Sequence, residues 1–326
     1  MISRSIGFAP LLAAITLLAF APKEVLAQDN YPSRPIRIIV PTSPGSGNDT
    51  VARLLAQRLS EIFRRQVLVD NRAGAGTIIG TEIVAKAPPD GYTLLSGNSA
   101  FTINPSAYKK LPYDAIRDFV PITHAVSVPS LIVVHPSVPA KSVKELIALA
   151  KARPGELLYA SSGHGTNPHL TMELFTSMAQ IRMTHVPYKG SSGLIDVVAG
   201  HVQVLALSMS TLMPHVRAGK LRALGVTSVR RTAAAPDIPT IAEAGLPGYE
   251  SVQWTGLLAP AGTPRDVIVK LHGEIVGILR TPEVRDRLAG DGSDVIANSP
   301  EEFGAFIKAE IVKWANVAKA AGIQPE

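Results

Sequence analysis

The chain has 326 residues, 46% of them hydrophobic, a formal net charge of +6 and no cysteine. Without thiols it has no disulfide, no cysteine nucleophile and no thiolate metal site, so its stability has to come from a buried core, which a chain of this length can form. The basic doublets Arg64-Arg65, Lys109-Lys110 and Arg230-Arg231 are scattered and lack interleaved aromatics, which argues against a nucleic-acid groove; the mild positive balance suits small anions.

Residues 1–27 read as a secretory signal peptide. Arg4 gives a positive start, Ile6 to Ala21 is apolar, and Val25-Leu26-Ala27 supplies a cleavage site after Ala27. The apolar stretch is too short to span a bilayer, and no later segment is long enough, so the exported chain is expected to have no membrane span. Residues 28–326 suffice for two domains.

The mature chain alternates strand-like and helical segments. IRIIV (36–40) precedes the loop PTSPGSGND and a helical stretch whose apolar face is Val51, Leu54, Leu55, Leu59, Ile62 and Phe63. VLVD (67–70), the glycine-rich AGAGTIIG (73–80), YTLLS (92–96) and SLIVV (130–134) follow. Ser142 and Glu145 form a capping-box signature before LIALAKA. LLYAS (157–161) leads through SGHGTNPHL into another helical pattern, and MTHV (183–186), VLALS (204–208), RALGVTS (222–228) and SVQWTGLLA (251–259) complete the strand-like runs. Thr263-Pro264 and Ser299-Pro300 each place a cap before a proline that opens a helix. This alternation predicts an α/β fold with largely parallel sheets.

The glycine loops carry the functional signal. In the first, a helix is expected to start near Asn48 or Asp49, with Gly45 and Gly47 free to take positive φ and let a ligand touch the backbone. A plain tight turn explains this loop equally well. It has no lysine and so is not a nucleotide P-loop. The spacing of 73–80 departs from the dinucleotide fingerprint. The loop at 159–170 repeats the strand–glycine–helix pattern, and two such anion sites suggest a ligand clamped between two lobes. There is no G-x-S-x-G and no H-E-x-x-H; the S-x-x-K match at Ser106 to Lys109 lacks its partner motifs. His164 and His169 are not at a one-face ligand spacing, so no metal is expected, and His169 reads as a structural hydrogen-bonder at a helix start. The loops offer donors without a nucleophile and base, so neither catalysis nor a cofactor is expected.

YPSRPIRIIVP, VDNRAGAGTIIGTEIVAKAPPDGYTLL, INPSAYKKLPYD, DFVPITHAV, YASSGHGTNPHL, HVPYKG, AGHVQVLALS, GKLRALGVTS, PDIPTIAEAGLPGYE and WTGLLAPAGTP occur in this order. From about Tyr31 to its end the chain thereby resembles the extracytoplasmic solute receptors of tripartite tricarboxylate transporter systems, the Bug or TctC receptors. The resemblance implies a periplasmic-binding-protein type II-like α/β fold, with two lobes, mostly parallel central sheets and a ligand cleft between them. Residues 28–127 and 251–326 would form one lobe and 128–250 the other, with hinges near 125–130 and 248–254. It implies a periplasmic receptor that captures a small carboxylate and delivers it to membrane permease subunits, with no nucleic-acid partner. The carboxylate would be held by backbone groups and ordered waters at two strand–turn–helix motifs. The first contributes Thr42, Ser43, Pro44, Gly45, Ser46, Gly47 and Asp49; the second contributes Ser161, Ser162, Gly163, His164, Gly165, Thr166 and His169. Asn98, Ser99, Tyr188 and Ser208 are counted with them. Phe101, Tyr188, Met209 and Trp254 are candidates for an aromatic lining, or equally for core or rim.

Two positions depart from the family pattern. Ser46 stands where the second of two glycines is usual, and His164 where a small or amide side chain is common. The His164 ring either lies on the outer surface of its loop or turns into the cleft. A sensory or scavenging binder would share the same pocket, and an exported hydrolase or transferase on a related fold is the reading from a different class.

Overall fold

The structure is a computed structural model that describes residues 1–2, 31–189, 192–290 and 292–325. The expected signal peptide therefore lies, apart from Met1 and Ile2, outside the described residues. Residues Pro32–Glu326 form one unit.

Strand β1 (Ile36–Val40) has Ile36, Ile38, Ile39 and Val40 fully buried, because it lies between β2 (Val67–Asn71) and β3 (Thr93–Asn98), parallel to both. Helix α1 (Gly47–Phe63) covers this sheet with Val51, Leu54, Leu55 and Leu59. Ile62, expected on the same face, is exposed: the buried stripe stops at Leu59, and the helix ends at Arg64 in the left-handed region. A 3-10 turn, Ala75–Thr77, opens α2 (Ile78–Ala85), and α3 (Ser99–Ala107) follows β3 directly.

Two long strands cross the middle. The sequence marks only 130–134, whereas β4 spans Phe119–Val134. Pro121 and Pro129 conceal its first part, since proline is unusual inside a paired strand. The strand accommodates them with register shifts at Pro121/Thr123 and His124/Val126 and by pairing Pro129 at the end of its ladder with β9 (Val252–Pro260). Up to Pro129, β4 pairs antiparallel with β9, which also pairs with β3; from Ser130 it pairs antiparallel with β7 (Val204–Ser208) and, mainly on its other side, β8 (Arg222–Val226). Parallel pairing is thus confined to the flanks: β1 with β2 and β3, and β5 (Leu158–Ser161) with β6 (Thr184–Pro187) and β7. A two-residue strand, β10 (Asp294–Val295), adds to β4. The result is a mixed α/β architecture.

The remaining helices are α4 (Val143–Ala152), α5 (Asn167–Ala179), α6 (Gly193–Val198), α7 (Met209–Arg217), α8 (Arg265–Leu279), α9 (Pro282–Gly290) and α10 (Pro300–Ala320). Helix α10 begins with the full capping box: Glu302 N–H donates to Ser299 Oγ at 3.1 Å and Ser299 N–H donates to the Glu302 carboxylate at 2.9 Å. At α4 only half of the box forms. Ser142 Oγ accepts from Glu145 N–H, while the Glu145 carboxylate accepts from Lys141 N–H. Thr263 caps nothing, because its hydroxyl donates to Pro260 O and α8 starts after Pro264.

One buried cluster joins Ile39, Leu95, Phe101, Phe119, Trp254 and Phe303; another joins Ile132, Leu170, Phe175 and Tyr249 with Trp314 and Val317 of α10. The last helix therefore packs against the core formed around α5 as well as against β4 and α3.

His124 of β4 sits in the first of these regions, 3% exposed, with its ring against Phe303, Phe306 and Trp254. Its Nε2–H donates to Val126 O at 3.1 Å. Burial lowers its pKa to about 4, with the Val126 bond opposing. The unfolded chain, with this histidine near 6.5, binds the proton more readily, so the contribution to stability is complete above that pH and is lost as pH falls toward about 4. The loss is on the order of 3 kcal/mol across that window. His124→Phe removes the titrating group together with its contacts to Val126 O and Ser127 Oγ. Urea unfolding from pH 7 to pH 4 is expected to show a less stable variant at pH 7 with a visibly shallower decline than wild type.

Candidate ligand-binding cleft

The turn between β1 and α1 is held by its own short side chains. Ser46, rather than Asn48 or Asp49, is the N-cap: its Oγ accepts from Asp49 N–H at 3.2 Å and lies 2.7 Å from Thr42 Oγ1. Asn48 is drawn to the sheet instead, its Nδ2 donating to Ser96 Oγ, Gly97 O and Thr255 Oγ1. Asp49 is buried beneath the turn and accepts from Gly45 N–H, Asn71 Nδ2 and Arg53 Nε at 2.8, 2.9 and 2.9 Å. Burial pushes its pKa up, but the bonds from Arg53, Gly45 and Asn71 outweigh this and hold its carboxyl below the usual range. Gly45 has φ +80°, as a close turn here requires.

The turn between β5 and α5 is built differently. Gly163 (φ +123°) donates its N–H to Ser161 Oγ, and Ser161 Oγ and Thr166 Oγ1 both donate to Gly163 O. Gly165 (φ +68°) donates its N–H to His169 Nδ1 at 3.0 Å. Thr166 occupies the N-cap position but makes no side-chain cap bond, so the first N–H groups of α5 are left for another acceptor. Two further helices start at the ends of strands nearby. Asn98 caps α3 through Ala100 N–H, and Ser208 precedes α7 without a capping bond, its hydroxyl 2.8 Å from Thr211 Oγ1.

These four helix starts border one cavity of about 1360 Å³. Thr42, Gly45, Ser46, Gly47, Asn98, Ser99, His164, Gly165, Thr166, His169 and Ser208 line it. Ser43 and Pro44 lie exposed on the outside of their turn, and Asp49 lies beneath it. Ser161, Ser162 and Gly163 shape the second turn from outside the lining. Tyr188 also stands apart. Its hydroxyl donates to Asp196 at 2.5 Å, and that bond with some burial pushes its pKa up to about 12. Of the aromatic candidates, Trp254 lines the cavity while Phe101 and Met209 are buried in the core.

Sequence reasoning missed several lining residues: Thr77, Asn104, Asn167, Glu173, His185 and Thr255. Asn167 stood inside the second loop motif, but His185 is brought in only by the β5–β6 register, which sets it beside Tyr159. No arginine or lysine lines the cavity among the described residues. Two buried donors there lack a protein partner, Asn167 Nδ2 and Trp254 Nε1.

Four rings pack at the α5 side. His169 and His185 stack with centroids 3.9 Å apart, Tyr159 continues the stack 5.0 Å from His185, and His164 stands edge-on to both histidines. Burial, then the neighbouring His185 and His164, lowers the His169 pKa to about 3; burial, then His164, lowers that of His185 to about 4. Both rings are neutral at pH 7. Ring nitrogens of His164, His169 and His185 lie within 4.8 Å of one another.

Residues 51–323 match the tripartite tricarboxylate transporter family receptor. The protein BugT of Bordetella pertussis is 37% identical over 300 residues, which is 91% of this chain and 92% of BugT. The structure of R. palustris Rpa4515 with adipate is 37% identical, has a TM-score of 0.75 and covers 91% of this chain and 100% of its own. That of MatC from Rhodopseudomonas palustris with bound malate is 30% identical, with a TM-score of 0.70 and coverage of 88% and 99%. The helix starts around one cleft are thus part of a two-lobed α/β receptor rather than an enzyme, and the chain belongs to the tripartite tricarboxylate transporter receptor family of periplasmic solute-binding proteins.

Proposed function

We propose that the protein binds one small carboxylate, with dicarboxylates of the adipate and malate type as first candidates, and passes it to membrane permease subunits of a tripartite transporter. The observation that carries this reading is the convergence of four helix N-termini on a cavity with no arginine or lysine among its described lining residues. Helix N-termini favour an anion by about 0.3–1 kcal/mol each, rising to about 2 kcal/mol when partly buried. The unpartnered Asn167 and Trp254 donors add directional hydrogen bonds. The adipate and malate bound by the two R. palustris proteins support the choice of ligand.

In this reading residues 1–27 direct export and are removed. Residues 28–127 and 251–326 form one lobe and 128–250 the other. The change of β4 partners at Pro129/Ser130 and the start of β9 at Val252 support hinges at these places. Adipate, malate and a tricarboxylate are screened by thermal shift and then by titration calorimetry. A true ligand at 100 times its dissociation constant adds about 2.7 kcal/mol of stability; failure of every small carboxylate to stabilise the protein would overturn the proposal. Small-angle scattering is expected to show a smaller radius of gyration at saturation.

The two turns are expected to respond differently to substitution. A valine at Gly165 cannot hold φ +68° without strain, so Gly165→Val reaims the α5 N–H groups and binding falls at least tenfold with unchanged circular dichroism. Ser46→Gly retains binding, because glycine at an N-cap costs only a few tenths of a kcal/mol. Calorimetry on the two variants checks both outcomes.

A further inference from the structure

We propose that His164, His169 and His185 supply the cationic side of the cleft: the carboxylate is captured together with one proton, which the histidine cluster takes up from solvent. The inference rests on the carboxylate reading above and concerns the charge of the same site. Glu173 is the one carboxylate among the described lining residues, and no arginine or lysine accompanies it. An entering dicarboxylate meets a like charge there. Imidazole is the side chain able to gain a positive charge near neutral pH, and three of them line the cavity beside the uncapped start of α5.

The packing admits one proton rather than several. His169 and His185 stack with centroids 3.9 Å and planes 11° apart, and His164 stands edge-on to them at 5.5 and 4.9 Å. A charge on one ring opposes a charge on the next. The nitrogens also differ in availability. His169 Nδ1 accepts from Gly165 N–H, so its own proton sits on Nε2. His185 Nε2 lies 2.6 Å from Ser161 Oγ, whose proton goes to Gly163 O at 3.1 Å. His185 therefore donates from Nε2 and keeps a lone pair on Nδ1. Neither that atom nor either nitrogen of His164 has a hydrogen bond among the described residues, and His164 is exposed. The proton enters at His164 or His185.

The other charged and titratable groups around the cluster are few. Tyr159 of β5 stacks on His185 and donates its hydroxyl to Glu173 of α5, whose carboxylate lies 3.9 Å from His169 Nε2. Arg182 and Lys189, on either side of β6, are exposed, and Asp196 of α6 is engaged by Tyr188. In the empty cleft, burial and then the neighbouring rings hold His169 at about 3 and His185 at about 4. A carboxylate within about 4–6 Å raises an imidazole by about 1–3 units, enough to charge the cluster in part as pH falls toward 6. The bound-state pKa then exceeds the free-state value. Affinity rises as pH falls through the bound-state value and levels off below the free-state value. The ligand's own carboxylates protonate near pH 4–5, which leaves about pH 6–8 as the useful window.

Adipate and malate are each titrated into the protein by calorimetry at pH 6.5 and pH 8, at fixed ionic strength, in buffers of different ionisation enthalpy. The slope of the observed heat against buffer ionisation enthalpy counts the protons exchanged. At least half a proton is expected to be taken up per ligand at pH 6.5 and less at pH 8, with affinity several-fold higher at the lower pH. Nuclear magnetic resonance of protein labelled with ¹⁵N-histidine locates the proton: adding ligand shifts ring nitrogens of His164 or His185 from the neutral to the imidazolium pattern. His164→Asn, at an exposed position, lowers the proton count and flattens the pH dependence. Binding without proton uptake overturns the inference and leaves the carboxylate reading standing. Uptake with every histidine still neutral does the same and assigns the proton to Glu173 or the ligand. Binding of neither acid overturns the choice of ligand and this inference with it.

Discussion

The antiparallel ladder between β4 and β9 is the constraint on which the rest of the molecule hangs. It runs from Phe119 opposite Pro260 to Pro129 opposite Val252. β9 hands the sheet on to β3, and so to β1 and β2; β4 continues past Pro129 to β7 and β8, and through β7 to β5 and β6. Two register shifts lie within this ladder, and such irregularities bend and twist a strand pair more than a regular ladder allows. Both flanks therefore depend on hydrogen bonds made by two strands, and the order of the strands is fixed by them.

That arrangement explains where the cleft is. β1, β3, β5 and β7 each end beside a helix start, and in open α/β sheets ligands gather outside the carboxyl ends of the strands. The helices contribute backbone N–H groups, which are fixed in direction and cannot be reorganised by solvent. An arginine would add a charge-assisted, bidentate bond of about twice the strength, and slow release in proportion. A cavity lined, apart from the Glu173 carboxylate, by neutral groups holds an anion through backbone and side-chain donors while keeping exchange easy, which suits a receptor whose task ends in delivery. The two main turns share this work unequally. At α1 the Ser46 hydroxyl consumes one of the free N–H groups, and Arg53 pairs with the Asp49 charge beneath it; at α5 no side-chain cap bond competes with a ligand.

Trp254 links the core to the cleft. Its ring packs edge-on against Phe101, Phe303 and Phe306, the residue lines the cavity, and its buried N–H has no protein acceptor. An indole locked by aromatic neighbours is a rigid donor, so little entropy is lost when it meets an acceptor. The stacked, neutral rings of His169 and His185 line the same cavity.

The α/β class, the two strand–glycine–helix turns, the approximate extents of most buried strands and the cap at Ser299 are legible in the amino-acid sequence alone. These are local properties: short runs such as IRIIV declare burial, and Ser-x-x-Glu satisfies N–H groups within a few residues. The motif order also pointed to the receptor family, which the comparisons bear out. Hydrophobic pattern misled where partners at long range set the outcome. Pro121 and Pro129 hid most of β4, and Asn48, a good cap by type, was drawn away by Ser96, Gly97 and Thr255. That parallel strands are separated by an antiparallel middle, that four helix starts meet at one cavity, and that His185 joins His164 and His169 emerges only once the chain is folded. Each depends on registers between segments far apart in the chain, and no local pattern of side chains encodes a register it does not itself form.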